Sequence, residues 1–341
     1  MYETEFKKLK KNDLSKMHIV YDTWAKRANE TYKNSNKSIK LQKTSHLVFA
    51  GMGGSGAIGD VFGAILSKTN IHVSIVKGYN LPNTVNKDTM VIITSVSGDT
   101  KETVEILRKS IKIGTKIIVF SGGGKLKELC KIKNIDHINI IKDHSPRASF
   151  IKFLFSMLGV LKPILPIEEK DIMESIRELK KISKTIHSEN FSESNQAIQI
   201  AKWIKCTPII YYPFGLQAAA TRFKNSLQEN CKMHVITEDV IEACHNGIVA
   251  WEKDRNFQPI FLRGADDQEN TIMLWKALKK YMKKNKIQYK EIFTVKGNIL
   301  TKLVCMIYLL DYSTIYLSSK LGIDPSPVKS IEFIKKELNK K

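Results

Sequence analysis

The sequence predicts an α/β chain of two doubly wound parallel-sheet domains with flanking helices, and three observations carry that prediction. Short apolar, β-branched runs alternate with amphipathic segments through residues 46–141, separated by turns rich in glycine and hydroxyls. The alternation resumes at Pro208 and repeats to the C-terminus, with no obvious sequence identity between the halves. Only helical patterns lie between them. The expected division is an N-terminal helical segment over 1–40, a first α/β domain over 41–165, an inter-domain helix over 166–200, and a second α/β domain with a C-terminal helix over 201–341. Ligands of such sheets bind beyond the C-terminal ends of the strands.

The elements follow in order. Residues Met1 to Lys40 read as helix, with Tyr2, Phe6, Leu9, Leu14, Met17, Ile19, Val20 and Trp24 as an imperfect apolar face. His46 to Ala50 reads as a buried strand that enters the turn Gly51-Met-Gly-Gly-Ser-Gly56 and then a helix. Strands are expected at 73–76, 91–94, 116–120 and 137–141, with helices at 100–113 and 125–132. A charge-rich helix covers Glu168 to Lys184. In the second half, strands are expected at 208–212, 234–237, 259–262 and 292–295, with helices at 216–230, 270–284, 299–321 and 327–338.

At 341 residues, 43% hydrophobic and 26% charged, the chain can bury a full core. Its five cysteines are widely spaced, lack a C-x-x-C pair and lie in apolar or helical contexts, so reduced core thiols are expected. The N-terminus has no apolar signal core, and no segment is expected to reach the apolar length of a membrane helix, which predicts a cytoplasmic protein. The formal charge of +21 raises a nucleic-acid reading. Its densest clusters, Lys7 to Lys11, Lys279 to Lys286 and Lys335 to Lys341, lack the interleaved aromatics of a single-strand binder. They read as solvated faces that draw in an anionic metabolite, with neither nucleic acid nor membrane as partner.

The stretch with the most chemistry is Val91 to Thr103, VIITSVSGDTKET. Four hydroxyls (Thr94, Ser95, Ser97, Thr100) fall where a buried strand ends and a helix begins, a place suited to an oxyanion. Capping that helix with Asp99 or Thr100 would need one such residue, not four. No lysine stands in the loop, which favours a phosphomonoester over a polyphosphate. Gly51, Gly53 and Gly56 satisfy the dinucleotide pattern G-x-G-x-x-G, but the next strand runs into Lys77-Gly78-Tyr79 where an acidic residue would hold the ribose. A glycine turn carrying Ser55 can equally bring a sugar close to the backbone.

GMGGSGAIGD at 51–60, SVSGDTKET at 95–103, SPRASF at 145–150, QENCK at 228–232, His245-Asn246 and YLSSKLGIDPSPVKSIEFIKKEL near the C-terminus resemble the bifunctional phosphoglucose/phosphomannose isomerase family. These are sugar-isomerase (SIS) domain proteins. The resemblance implies two SIS-type domains, a homodimer, and metal-free, cofactor-free interconversion of glucose 6-phosphate and fructose 6-phosphate, with mannose 6-phosphate as well. Carried over by position, Ser55, Ser95, Ser97 and Thr100 hold the 6-phosphate, with Gly53 and Gly54 beside the sugar. Glu229 matches the catalytic base and Arg147 the arginine at the reacting carbons. His245 matches a ring-opening histidine given by the neighbouring subunit, and Lys335, or its neighbour Lys336, an assisting lysine. Val328 stands where some members carry a hydroxyl linked to the mannose reaction, with Ser326 and Ser330 as substitutes.

The chemistry asks for the same parts. Moving a carbonyl between C1 and C2 needs one base to shuttle a proton through a cis-enediol, a task for Glu229. A fixed cation such as Arg147 favours the enediolate over the ground state. Ring opening needs proton donors and acceptors at O5 and O1, which His245 and Lys335 can supply. A non-catalytic sugar-phosphate sensor would keep the hydroxyl loop but not Glu229, Arg147 and His245.

Overall fold

The computed structural model describes residues 8–35, 39, 41–253 and 256–340. Met1 to Lys7, and with them Tyr2 and Phe6 of the predicted N-terminal face, lie outside the described residues. Over 8–35 the expected single helix is broken. Asp13 accepts the backbone N–H groups of Met17 and His18 at 2.9 and 2.7 Å, so the chain turns and restarts as α1 (Met17–Asp22), followed after Thr23 by α2 (Trp24–Asn34). Leu9, Met17, Val20 and Trp24 are buried as expected, whereas the break leaves Leu14 and Ile19 exposed.

The first sheet is built from β1 (His46–Ala50), β2 (His72–Val76), β3 (Met90–Ser95), β4 (Lys116–Ser121) and β5 (Asp136–Asn139), all parallel in the order β2-β1-β3-β4-β5. Helices α3 (Gly53–Leu66), α4 (Lys101–Ile113), α5 (Gly124–Lys133) and α6 (Phe150–Val160) complete this unit. α7 (Glu169–Ile186) and α8 (Gln196–Trp203) lead to a second parallel sheet of β6 (Thr207–Tyr212), β7 (Ile236–Asp239), β8 (Phe257–Arg263) and β9 (Lys290–Phe293), in the order β7-β6-β8-β9. Its helices are α9 (Gln217–Cys231), the short α10 (Val240–Ala243) with a 3₁₀ turn at Gly247–Glu252, α11 (Glu269–Lys284), α12 (Ile299–Lys320) and α13 (Lys329–Asn339). Strands β5, β7 and β9 are offset by one or two residues from their sequence-based positions.

The order of strands reverses between β1 and β3, where Ala50 lies beside Ile93, and again between β6 and β8. α9 packs on α3 and on α12, which joins the two units around one apolar core. α12 corrects one expectation: it is 22 residues long and apolar enough to cross a membrane, but 89% of its apolar window is buried inside the protein. Packed among α7, α8 and α9, it is a core helix on which Tyr312 stacks on Tyr316 and meets Tyr308 at a tilt. Of the cysteines, all free, Cys130, Cys231 and Cys305 are buried as expected, but Cys206 and Cys244 are only half-buried.

Candidate active site

The phosphate-like loop closes the C-terminal end of β3 at the first strand reversal. Ser95 ends the strand and is buried; its Oγ accepts the Gly98 N–H at 3.1 Å and shares a 3.0 Å hydrogen bond with Thr100 Oγ1. Gly98 has φ +78°, and a Cβ there would fall 1.8 Å from the Gly123 carbonyl oxygen, so only glycine closes this turn. Ser97 is exposed and accepts the Asp99 N–H at 3.2 Å. Thr100 stands at the N-cap of α4 yet its side chain takes none of the helix's first-turn N–H groups. No side chain of the loop caps those donors, and helix N-terminal N–H groups of this kind favour anions in general. Asp99 does cap a helix, but the neighbouring one: its Oδ1 accepts the Lys125 N–H of α5 at 2.9 Å.

The glycine turn leaves β1 on the other side of the reversal. Gly53 has φ +52° and open space where a Cβ would stand, and buried Ser55 follows in the first turn of α3. At the end of β2, Lys77 pairs with Asp60 of α3 at 2.6 Å, so the position of a ribose-binding carboxylate is taken by a cation already engaged. The second reversal carries no comparable cradle: Asp267 accepts the Gly264 N–H at 2.9 Å and Thr294 accepts that of Ala265 at 2.9 Å. The chain satisfies these two loop donors after β8 itself.

Against the first glycine turn stands the catalytic candidate pair. A Cβ on Gly54 would lie 3.5 Å from the Arg147 Cα. Arg147 is 3% exposed and not the surface arginine that Pro146 at a helix start would suggest. Its Nη1 donates to Glu229 Oε2 at 3.0 Å, its Nε to Asn230 Oδ1 at 2.6 Å, and its Nη2 to the carbonyls of Pro325 and Ser326 at 2.5 and 3.0 Å. Glu229, in the last turn of α9, keeps its side chain 25% exposed, open enough to meet a substrate. Lys232 just beyond it donates to the Glu229 and Pro327 carbonyls, and burial first, then Arg147, holds its ammonium below the usual lysine range.

The segment after α12 therefore arches over this pair and continues as α13. At its far end Lys101, the first residue of α4, donates to the Leu338 carbonyl. α13 thus spans from Arg147 and Glu229 to the hydroxyl-lined loop before α4, with Lys335 and Lys336 both exposed on it. His245 is not brought in. It is exposed on the loop after α10, at the C-terminal end of the second sheet, whereas Glu229 ends α9, which returns the chain to that sheet's N-terminal end. The 15 residues of α9 alone span roughly 20 Å.

Comparison with known proteins identifies the lineage of this arrangement. Residues 40–154 match the SIS domain and residues 193–338 the bacterial phospho-glucose isomerase C-terminal SIS domain. A bifunctional phosphoglucose/phosphomannose isomerase from Caldicellulosiruptor bescii is 31% identical over 326 residues, 92% of this chain and 95% of the relative. The chain belongs to the bifunctional phosphoglucose/phosphomannose isomerase family. A relative of the same name from Aquifex aeolicus is 28% identical, covering 86% of this chain and 90% of its own length. The fold is shared with a solved hypothetical protein from Thermus thermophilus at TM-score 0.76 and 12% identity, covering 99% of this chain and 94% of that one.

Several residues around this isomerase's candidate site carry no sequence signal of their own. Asn230 and Lys232 lie within the QENCK motif, but only packing shows that one holds Arg147 and the other the arch of 325–327. Asp311, the one carboxylate in the apolar helix α12, was the visible clue to a buried network. His144 shares a 3.3 Å hydrogen bond with Ser326 Oγ, and burial, then Arg147, outweighs Asp13 to keep its imidazole below the usual histidine range. Among the described residues, no three His, Cys, Asp or Glu side chains converge to hold a metal ion.

Proposed function

We propose that the protein interconverts glucose 6-phosphate and fructose 6-phosphate, and mannose 6-phosphate with the same ketose, through a cis-enediol(ate). The observation that carries this reading is the Arg147–Glu229 pair, 3.0 Å apart, set against Gly54 beside a hydroxyl-lined strand reversal. A sensor needs only the anion cradle; a base opposed to a buried cation is what isomerisation requires. The 6-phosphate rests on Ser55, Ser95, Ser97, Thr100 and the start of α4, with the sugar passing Gly53 and Gly54. Glu229 moves the proton between C1 and C2. Arg147 stabilises the enediolate oxygen, in a site where charge is poorly screened.

Lys335 or Lys336, from α13, assists at the ring oxygens with His245. Of the two hydroxyls flanking Val328, Ser326 is the better candidate for the mannose reaction, since its carbonyl is on Arg147 while Ser330 is exposed. The reading is tested by coupled assays on the three hexose 6-phosphates in the presence of EDTA. Turnover of fructose 6-phosphate is expected to survive chelation. No turnover would leave the sensor, and a loss reversed by zinc would reject the metal-free route.

His245 reaches the site from a second copy of the chain. Exposed Ile241 and Val249 flank its loop in the chain, and Phe214 after β6 and Ile236 on β7 are exposed on the same unit, apolar surface suited to an isologous homodimer. Co-expressed Glu229→Gln and His245→Ala chains, each inactive alone, should recover up to about a quarter of native activity, because half the dimers then carry one intact site of two. Failure to recover activity in verified mixed dimers would place His245 in the site of its own chain or outside it.

A further inference from the structure

The junction between the two units buries charges that no step of the proposed reaction uses. Arg222 lies two helical turns before Glu229 on α9 and is 1% exposed; Asp311, midway along α12, is fully buried. Arg222 Nε and Nη2 donate to Asp311 Oδ2 at 3.0 and 2.7 Å, and Asp311 Oδ1 accepts from Ser226 Oγ at 2.6 Å. Burial opposes the guanidinium's charge, but its neighbours together, Asp311 first among them, hold Arg222 above the usual arginine value. As a device for stability such a pair is poor, because apolar side chains of similar size often hold helices together as well or better.

What apolar side chains cannot do is donate. Arg222 Nη2 also donates to the Arg147 carbonyl at 2.7 Å, its guanidinium covers the Phe150 ring at 4.7 Å, and its Nη1 lies 3.2 Å from where a Cβ on Gly54 would stand. Asn230 works from the same two helices. Its Oδ1 accepts from Arg147 Nε at 2.6 Å while its Nδ2 donates to Thr314 Oγ1 at 2.7 Å, one turn beyond Asp311 on α12. Arg147 is thus held by its backbone and by its guanidinium, both through α9 and α12.

We propose that Arg222, Asp311 and Asn230 are positioning residues that fix Arg147 between Glu229 and the glycine turn, so that its charge meets the enediolate oxygen. The inference rests on the roles assigned above to Arg147 and Glu229. The pair Arg222→Met/Asp311→Leu removes both charges without stranding either, and Asn230→Ala removes the grip on Nε together with its tie to Thr314. Each is measured for thermal midpoint, kcat, KM for fructose 6-phosphate and inhibition by inorganic phosphate. In both variants the folded state and phosphate inhibition are expected to stay near native and KM to change less than about threefold, while kcat falls on the order of 10²-fold, as for a catalytic group displaced by about 1 Å. A native kcat in a folded variant overturns the inference, as does a KM that changes in proportion to kcat. Should the double variant fail to fold, Asn230→Ala decides. Glu229→Gln is measured alongside: if it keeps the native rate, the catalytic reading itself is wrong, whereas an inactive Glu229→Gln beside fully active positioning variants rejects this inference alone.

Discussion

Glu229→Gln is expected to bind hexose 6-phosphates nearly as the native protein does and to turn them over on the order of 10²–10⁴-fold more slowly, the usual contribution of a positioned general base. Glutamine keeps the length of the side chain, and its carbonyl oxygen can still accept the 3.0 Å bond from Arg147 Nη1. The loss is therefore confined to the capacity to take a proton from carbon. Isotope exchange reads the same atom directly. In heavy water the native enzyme should place deuterium at C2 of glucose 6-phosphate formed from fructose 6-phosphate, because a carboxyl that is 25% exposed can exchange its proton while the enediol persists. The variant should incorporate almost none. Isomerisation at the native rate by Glu229→Gln would falsify the assignment of the base and, with it, the positional carry-over at its most consequential residue.

What the sequence made legible was the part of the protein governed by local rules. Alternating apolar runs fixed the strands, and glycine and hydroxyl turns at their ends located both loops at the first strand reversal, because strand periodicity and turn chemistry act over a few residues. The partnership of Arg147 with Glu229, 82 positions apart, has no local signature. It arises where α9 packs on α3, and ordered family motifs, not periodicity, pointed to it. The N-terminal break is hidden in the sequence for a local reason of another kind: Asp13 competes for the N–H groups of Met17 and His18, and an apolar pattern that continues on both sides conceals it. α12 was underestimated as an apolar segment because Asp311 and its tyrosines interrupt the pattern, although all of them are core residues.

The cradle yields the second large effect, on binding instead of turnover. Ser97→Ala with Thr100→Ala is expected to raise KM for every hexose 6-phosphate by about 10² to several times 10³-fold and to relieve inhibition by inorganic phosphate. Two hydrogen bonds to a charged group contribute about 3–5 kcal/mol together, and each ~1.4 kcal/mol is a factor of ten. The two hydroxyls are the right ones to remove. Ser95 closes the loop by accepting from buried Gly98, so its loss would disturb the turn, whereas exposed Ser97 accepts only from exposed Asp99 and half-buried Thr100 shares one bond with Ser95. Because Arg147 and Glu229 are held by α9, α12 and the arch of 325–327, kcat at saturating substrate should fall much less than kcat/KM. A KM that does not move would mean that the phosphate rests elsewhere than at the end of β3. An equal fall in kcat with KM unchanged would mean that these hydroxyls act in the transition state and not in holding the substrate.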